Sequence, residues 1–308
     1  MAESPSLFAN VPRSEFDVPG RSRGLLDVVR WRYLLKLLVR TGVTTRYRNS
    51  VLGWTWSYVR PAAQFLVFWV VMGLLLDLGR GVPNYAVYLF SGIIVINLFS
   101  EAFKNATTSI VGNAPLVRKV YLPRQLFAVS AVIVALTHFL PQLGLLAIVC
   151  LVMGWWAQFS LLQIVAVIAA VVLTMLFALG LGLFFGAINV RFRDSENIVE
   201  LLLMLATWAS PVLYHWTMVA DAAQKIGANW ITQIYLLNPI TQAVELFHFA
   251  FWVPVTDLAH SDNAVIQANP VAPDMLSNTL WAFVIALGVF ALGQLVFRKL
   301  EGRFAQDL

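Results

Sequence analysis

One stretch of this chain, residues 161–190, carries no charged side chain at all. Coiled as a helix at 1.5 Å per residue it would run about 45 Å, more than the roughly 30 Å of a bilayer's hydrocarbon core. In lipid the backbone must satisfy its own hydrogen bonds, and a long apolar run without alternation does so as a helix. Five further apolar stretches reach or approach that length: 51–78, 85–100, 125–154, 198–214 and 279–297. The sequence therefore predicts an all-α integral membrane protein with six transmembrane helices. Composition agrees, with 59% hydrophobic residues, 12% charged and a mean hydropathy of +0.75, about half the charge of an ordinary soluble domain. Residues 1–24 have no apolar core and read as a flexible cytosolic tail. Cys150 is the lone cysteine, which excludes a disulfide framework and a thiolate metal cluster.

Charge sets the orientation. Nineteen of the 21 Lys and Arg residues fall in 1–60, 101–124, 190–197 and the tail beyond 297, leaving only Arg80 and Lys225 for the other side. By the positive-inside rule both termini are cytoplasmic, as an even number of crossings requires. The net charge of +5 is then a topology signal and gives no reason to expect nucleic acid. Between the fifth and sixth stretches lie two shorter apolar pieces, 230–237 and 240–253, broken by Asn238-Pro239. The longer spans only about 21 Å as a helix, so the pair is predicted as short re-entrant or interfacial helices on the outer face. A plain hydrophobic loop helix is the simpler alternative.

Motifs for covalent chemistry are missing: no phosphate-binding glycine loop ending in Lys-Ser/Thr, no zinc-binding HExxH, and no close acidic pair in a cytosolic loop. Gly180, Gly182 and Gly186 follow no strand and predict a close helix contact. Polar residues inside the stretches are few: Gln64, Asp77, His138, Gln142 and Glu200. His138 and Gln142, four apart around Pro141, predict an interhelical hydrogen bond at a kink rather than a proton relay. Residues 25–40 predict an amphipathic helix on the inner membrane surface. Arg32, Lys36 and Arg40 form one stripe, with Trp31, Leu34, Leu35 and Leu38 opposite.

The segment Arg46-Tyr-Arg-Asn-Ser-Val-Leu-Gly-Trp-Thr-Trp-Ser-Tyr-Val-Arg-Pro61 resembles the opening signature of permease subunits of type-2 ABC exporters, in the O-antigen and polysaccharide-export branch. Further segments agree in order: Asn113-Ala-Pro-Leu-Val-Arg-Lys-Val-Tyr-Leu-Pro-Arg124, Asn189-Val-Arg-Phe-Arg-Asp194, Ser210-Pro211-Val-Leu-Tyr214 and Leu237-Asn-Pro239. The resemblance covers about residues 25–305. It implies a homodimer of six-span subunits in the bacterial plasma membrane, docked to two ATPase subunits that hold the ATP and Mg. This chain itself would bind no cofactor or metal and would not be an enzyme. The cargo would be lipid-linked polysaccharide, and an Ala/Val/Leu/Gly/Arg bias points to a GC-rich bacterial source and cell-wall galactan as one candidate. A teichoic-acid-type polymer or a small hydrophobic drug is an alternative cargo, and an ion-coupled flippase or a membrane glycosyltransferase an alternative class.

Three parts divide the chain: the tail 1–24, an amphipathic helix and linker 25–50, and a transmembrane domain 51–308 with outer gate helices near 230–253. The resemblance assigns ATPase coupling to Asn113, Arg118, Lys119, Tyr121 and Arg124, and a second cytosolic contact to Arg191, Arg193 and Asp194. Trp155 and Trp156, at a tight outer turn, are predicted as interfacial belt residues. Aromatic rings stack on sugar C–H faces, so Tyr58, Phe65 and Trp69 on one face of the first span are candidate channel-lining residues, and the resemblance, which implies a channel lined from the first and fifth spans, adds Trp208 and Tyr214. Arg46, Arg48 and Arg60, which gather before Pro61, are candidates for the diphosphate of a lipid carrier.

Overall fold

The structure, a computed structural model, describes residues 28, 30–47, 53–75, 81–119, 122–258 and 263–308. Arg48, Asp77 and Tyr121 lie outside the described residues, as do the side chains of Arg46 and Arg60. Among the described residues there is no strand. The helices are α1 (Arg32–Tyr47), α2 (Trp56–Phe68), α3 (Tyr85–Gly112), the short α4 (Ala114–Lys119), α5 (Gln125–Val152) and α6 (Leu161–Asn189). They continue with α7 (Ser195–Trp208), α8 (Trp216–Lys225), α9 (Trp230–Leu237), α10 (Pro239–Phe247), α11 (Ala264–Ala268), α12 (Met275–Leu300) and α13 (Phe304–Asp307). Four described helices, α3, α5, α6 and α12, are long and apolar enough to cross a membrane.

Helix α3 is the centre of the bundle, apolar nearly all round and in contact with α5, α6, α7 and α10. A helix of that pattern has to be covered on every side, and Tyr88, Leu89, Ile93, Ile94, Phe103 and Ala106 are all fully buried. It outruns the predicted stretch by twelve residues, because Glu101 and Lys104 do not end it. Both sit on a polar stripe where each finds a partner.

Close approach of α6 to its neighbours depends on small residues. A Cβ on Gly186 would lie 3.2 Å from the Ala106 carbonyl oxygen of α3, and one on Gly180 would lie 2.7 Å from the Phe290 backbone of α12. The predicted glycine contact is thus present, and it joins α6 to two helices.

The predicted first span is not a uniform helix: a 3₁₀ turn (Gly53–Thr55) leads into α2, which continues as a π-helical segment (Trp69–Leu75). The fifth stretch is α7, fourteen residues long, followed by a turn through Ser210-Pro211. Tyrosine hydroxyls of α3 hold that turn: Tyr85 donates to the Leu213 carbonyl (2.8 Å) and Tyr88 to those of Pro211 and Tyr214 (2.9 Å each).

Of the two short apolar pieces, 230–237 is α9, and 240–253 divides into α10, a π-helical turn (His248–Trp252) and a 3₁₀ turn. Asn238 caps α10 by accepting from Ile240 N (3.1 Å), with Pro239 at the first helical position, where no donor is needed. All nine residues of α10 are buried among α3, α6 and α12. The same region holds α8, which hydropathy did not separate from loop.

Helix α1 runs on to Tyr47, past the predicted end at Arg40, while residues 25–27 and 29 of the predicted helix lie outside the described residues. Its basic stripe is exposed, and its apolar face, through Leu38 and Gly42, rests on α5 near Val134. Trp155 also departs from expectation as an interfacial residue. Its indole N–H donates to the Ala250 carbonyl (2.7 Å) and its ring stacks on Phe251. Trp156, 71% exposed, keeps the character of an interfacial residue.

Candidate functional site: a polar cleft and the basic end of the bundle

Along α3, Asn97, Ser100, Glu101, Lys104 and Asn105 recur at spacings of three and four, so they share one face. That face floors a cavity of about 350 Å³ whose other walls are Trp56, Pro61 and Gln64 of α2, His138 and Gln142 of α5 and Leu203 of α7. Two polar side-chain pairs order it. The Glu101 carboxylate meets His138 Nδ1 at 2.6 Å, with His138 buried, which is the interhelical bond expected of that histidine. Gln142 instead turns back on its own helix, donating to the His138 carbonyl at 3.2 Å. Lys104 and Glu200 pair at 2.6 Å across the rim and tie α3 to α7, but both are more than half exposed. Water screening makes such a pair a marker of register more than a source of stability. Glu101, Lys104 and His138 all line the cleft, the placement that ionisable groups in a bundle of apolar helices require. The polar stripe was visible as the 97-100-101-104-105 spacing, yet ending the second stretch at its first charge concealed it.

The candidate lining residues do not all face this cleft. Tyr58, Phe65 and Trp69 are half-buried, and the Phe65 ring packs edge-on against Phe90 of α3 at 5.4 Å. Phe65 borders a separate apolar groove with Phe90, Leu146 and Val149. Trp208 is 54% exposed on the outer flank of α7. Tyr214, half-buried, donates from its hydroxyl to the Trp208 carbonyl at 2.6 Å. Trp56, 41% exposed on the cleft wall, is an aromatic that the stripe of 58, 65 and 69 passes over.

At one end of the bundle the structure gathers α4, the α6–α7 turn and the chain's C-terminus. Asn113 donates to the Ser109 carbonyl (2.7 Å) and so finishes α3, after which α4 turns away with Arg118 and Lys119 exposed in its last turn. The Arg124 guanidinium lies 5.6 Å from the Phe304 ring centre, which fastens this segment to the C-terminus. Arg191, Arg193 and Asp194 are exposed on the next turn. That turn is anchored by Asn189, whose amide N–H donates to Glu196 (2.9 Å) and the Thr107 carbonyl (3.5 Å). Two large apolar side chains, Leu116 (41%) and Phe192 (59%), stand exposed among these charges. Both follow a basic or proline residue in sequence, and their exposure is visible only in three dimensions. Among the described residues no group of His, Cys, Asp and Glu is arranged to hold a metal ion.

Comparison with known proteins places this architecture. The family profile described as ABC-2 type transporter matches residues 33–252. An O-antigen export system permease protein RfbA of Klebsiella pneumoniae is 27% identical over 275 residues, covering 89% of this chain and 95% of the relative. Its namesake in Myxococcus xanthus is 27% identical over 226 residues, 73% of this chain and 83% of the relative. The polysialic acid transport protein KpsM of Escherichia coli is 22% identical over 205 residues, 66% and 75% of the two chains. With the matched profile running from α1 to the π-helical turn after α10, the chain belongs to the ABC-2 type transporter family of membrane permeases.

Proposed function

We propose that this chain is the permease subunit of an ATP-driven exporter that carries lipid-linked polysaccharide from the cytosolic to the outer face of the bacterial plasma membrane. It would work as a homodimer with two ATPase subunits. Likeness to O-antigen export permeases across nearly the full chain is the observation that carries this reading. The structure supports it in one respect above all. The polar floor of α3 is flanked by α2 and α7, and α7 leaves Leu201, Leu205 and Trp208 exposed. Such a face suits a passage completed by a second copy. Trp56, Tyr58, Trp69, Trp208 and Tyr214 would offer ring faces to sliding sugars, while Phe65 supports the wall from within.

In this reading the four long helices are joined by two more crossings. The run 53–75 would extend about 34 Å, and α7 with its following turn supplies the other. Helices α9 and α10 are re-entrant outer elements; α10 meets the condition that a helix not spanning the bilayer have its backbone covered by protein. Both termini are cytoplasmic, so the basic end of the bundle faces the ATPases, with Arg118, Lys119, Arg191, Arg193 and the apolar Leu116 and Phe192 as contacts. By the positive-inside rule Arg46, Arg48 and Arg60 would serve the carrier's diphosphate at the cytosolic face. ATP and Mg reside on the partner, and nucleotide binding acts here only by favouring one helix arrangement over another.

The test is purification of the tagged chain in mild detergent with an ATPase assay on the complex. A stoichiometric ATPase that is lost from, or silenced in, the Arg118→Glu/Lys119→Glu variant supports the reading. Transport in liposomes without ATP removes it. That second outcome would favour proton-coupled movement, for which the Glu101–His138 pair, its histidine buried, is the specific observation.

A further inference from the structure

At the opposite end of the bundle a second cavity, of about 640 Å³, lies between α8, α9 and the first turns of α12. Each helix brings polar residues to it at helical spacing. Asn229 and Gln233 stand four apart at α9, Asp274, Asn278 and Trp281 follow the i, i+4, i+7 face of α12, and Gln224 closes the wall from α8. We propose that this cavity is a binding subsite for a neutral saccharide.

Three features select that ligand class. The lining carries amides and hydroxyls with one carboxylate, Asp274, and no cation. Phosphates and nucleotides need positive partners, whereas paired sugar hydroxyls are met by amides that both donate and accept and by a carboxylate that accepts. Trp281 is 57% exposed at the rim and lines the cavity; an indole face against polar side chains matches a sugar ring, apolar on its C–H face and polar at its edge. The volume lies within the range of small-ligand sites and admits about two linked hexoses.

Asp274 adds a structural oddity. It occupies the N-cap position of α12 with φ +49° and ψ +38°, a left-handed conformation, yet its side chain makes no capping hydrogen bond. Its neighbour Asn278 donates to the Pro273 carbonyl at 2.8 Å, which fixes that amide and leaves its oxygen as an acceptor. The carboxylate is therefore not spent on the helix that it begins.

This inference rests on the export reading only for the source of the saccharide. The experiment is saturation-transfer NMR on the full chain in nanodiscs with galactotetraose, mannotetraose and rhamnotetraose as probes and a sialic acid trisaccharide as the anionic comparison. At least one neutral probe saturates in the millimolar range. Binding weakens at least tenfold in Trp281→Ala and at least fivefold in Asn229→Leu/Gln233→Leu, and the anionic probe binds at least tenfold more weakly. Trp156→Ala, removing an exposed tryptophan elsewhere, leaves binding unchanged. No saturable neutral probe, tighter anionic binding, or unchanged binding in folded Trp281→Ala or Asn229→Leu/Gln233→Leu overturns the proposal. Because no ATPase is needed, binding without ATP-driven export leaves this subsite standing and sinks the export reading; export without binding does the reverse.

Discussion

Replacing Gly180 by alanine tests how the scaffold beneath the cleft is held. A Cβ there would sit 2.7 Å from both the backbone N and the Cα of Phe290 and 3.0 Å from the carbonyl carbon of Val289. Ordinary contact starts near 3.4 Å, so α6 and α12 have to part by about 0.7 Å. The obstacle is backbone, and no rotamer change relieves it. A gap of that size forfeits roughly a quarter to a half of the dispersion energy for each atom pair across the seam, which places the change near the upper end of overpacking, about 3 kcal/mol. Alanine's better helix propensity returns about 1 kcal/mol. The net loss is about 2 kcal/mol, or about 3 °C in melting temperature for a chain of this size. Gly288→Ala on α12 is the control, since a Cβ there meets nothing within 4 Å and only the propensity gain of about 1 kcal/mol remains. Both variants would be melted in one detergent, at one scan rate, and followed by fluorescence-detected gel filtration. A Gly180→Ala protein melting with the wild type, or a Gly288→Ala protein falling as far, would refute the backbone-contact argument.

Four other outcomes are expected. Phe65→Ala lowers the melting temperature, because its ring packs on Phe90, by the about 3 kcal/mol or somewhat less of a partly buried aromatic truncation. Trp208→Ala leaves melting within about 0.5 kcal/mol of wild type but slows glycan passage in an export assay; reversed effects would reassign both rings. His215 is buried at the start of α8, and burial holds its pKa below the ordinary 6.5 despite the nearby Glu245 carboxylate and a bond to the Pro270 carbonyl. The unfolded chain then takes up a proton before the native one, so stability is intact above about pH 6.5 and falls as pH drops below it. A melting series from pH 7.5 to 5 should show a shallower decline in His215→Gln than in wild type. Asp274→Gly relieves the left-handed backbone and raises the melting temperature by about 1 kcal/mol equivalent, as differential melting would register.

Much of this molecule was legible from one dimension. Residues 161–190 had to be a helix crossing lipid, and Asn238-Pro239 had to break one helix and start another, because hydropathy and backbone chemistry are local. The clustering of Arg118, Lys119, Arg191 and Arg193 at one end also followed, since charge cannot sit in hydrocarbon. Ends and faces were less legible. Glu101 looked like the boundary of a span until it was seen to pair with His138 of another helix, and Trp155 looked interfacial until its indole N–H was seen to donate to the Ala250 carbonyl. The sequence by itself determined which segments avoid water and which side carries charge. Only the tertiary structure decided which polar residues share a cavity and which aromatic rings are already occupied, because partners 37 or 95 residues away are invisible to any local pattern.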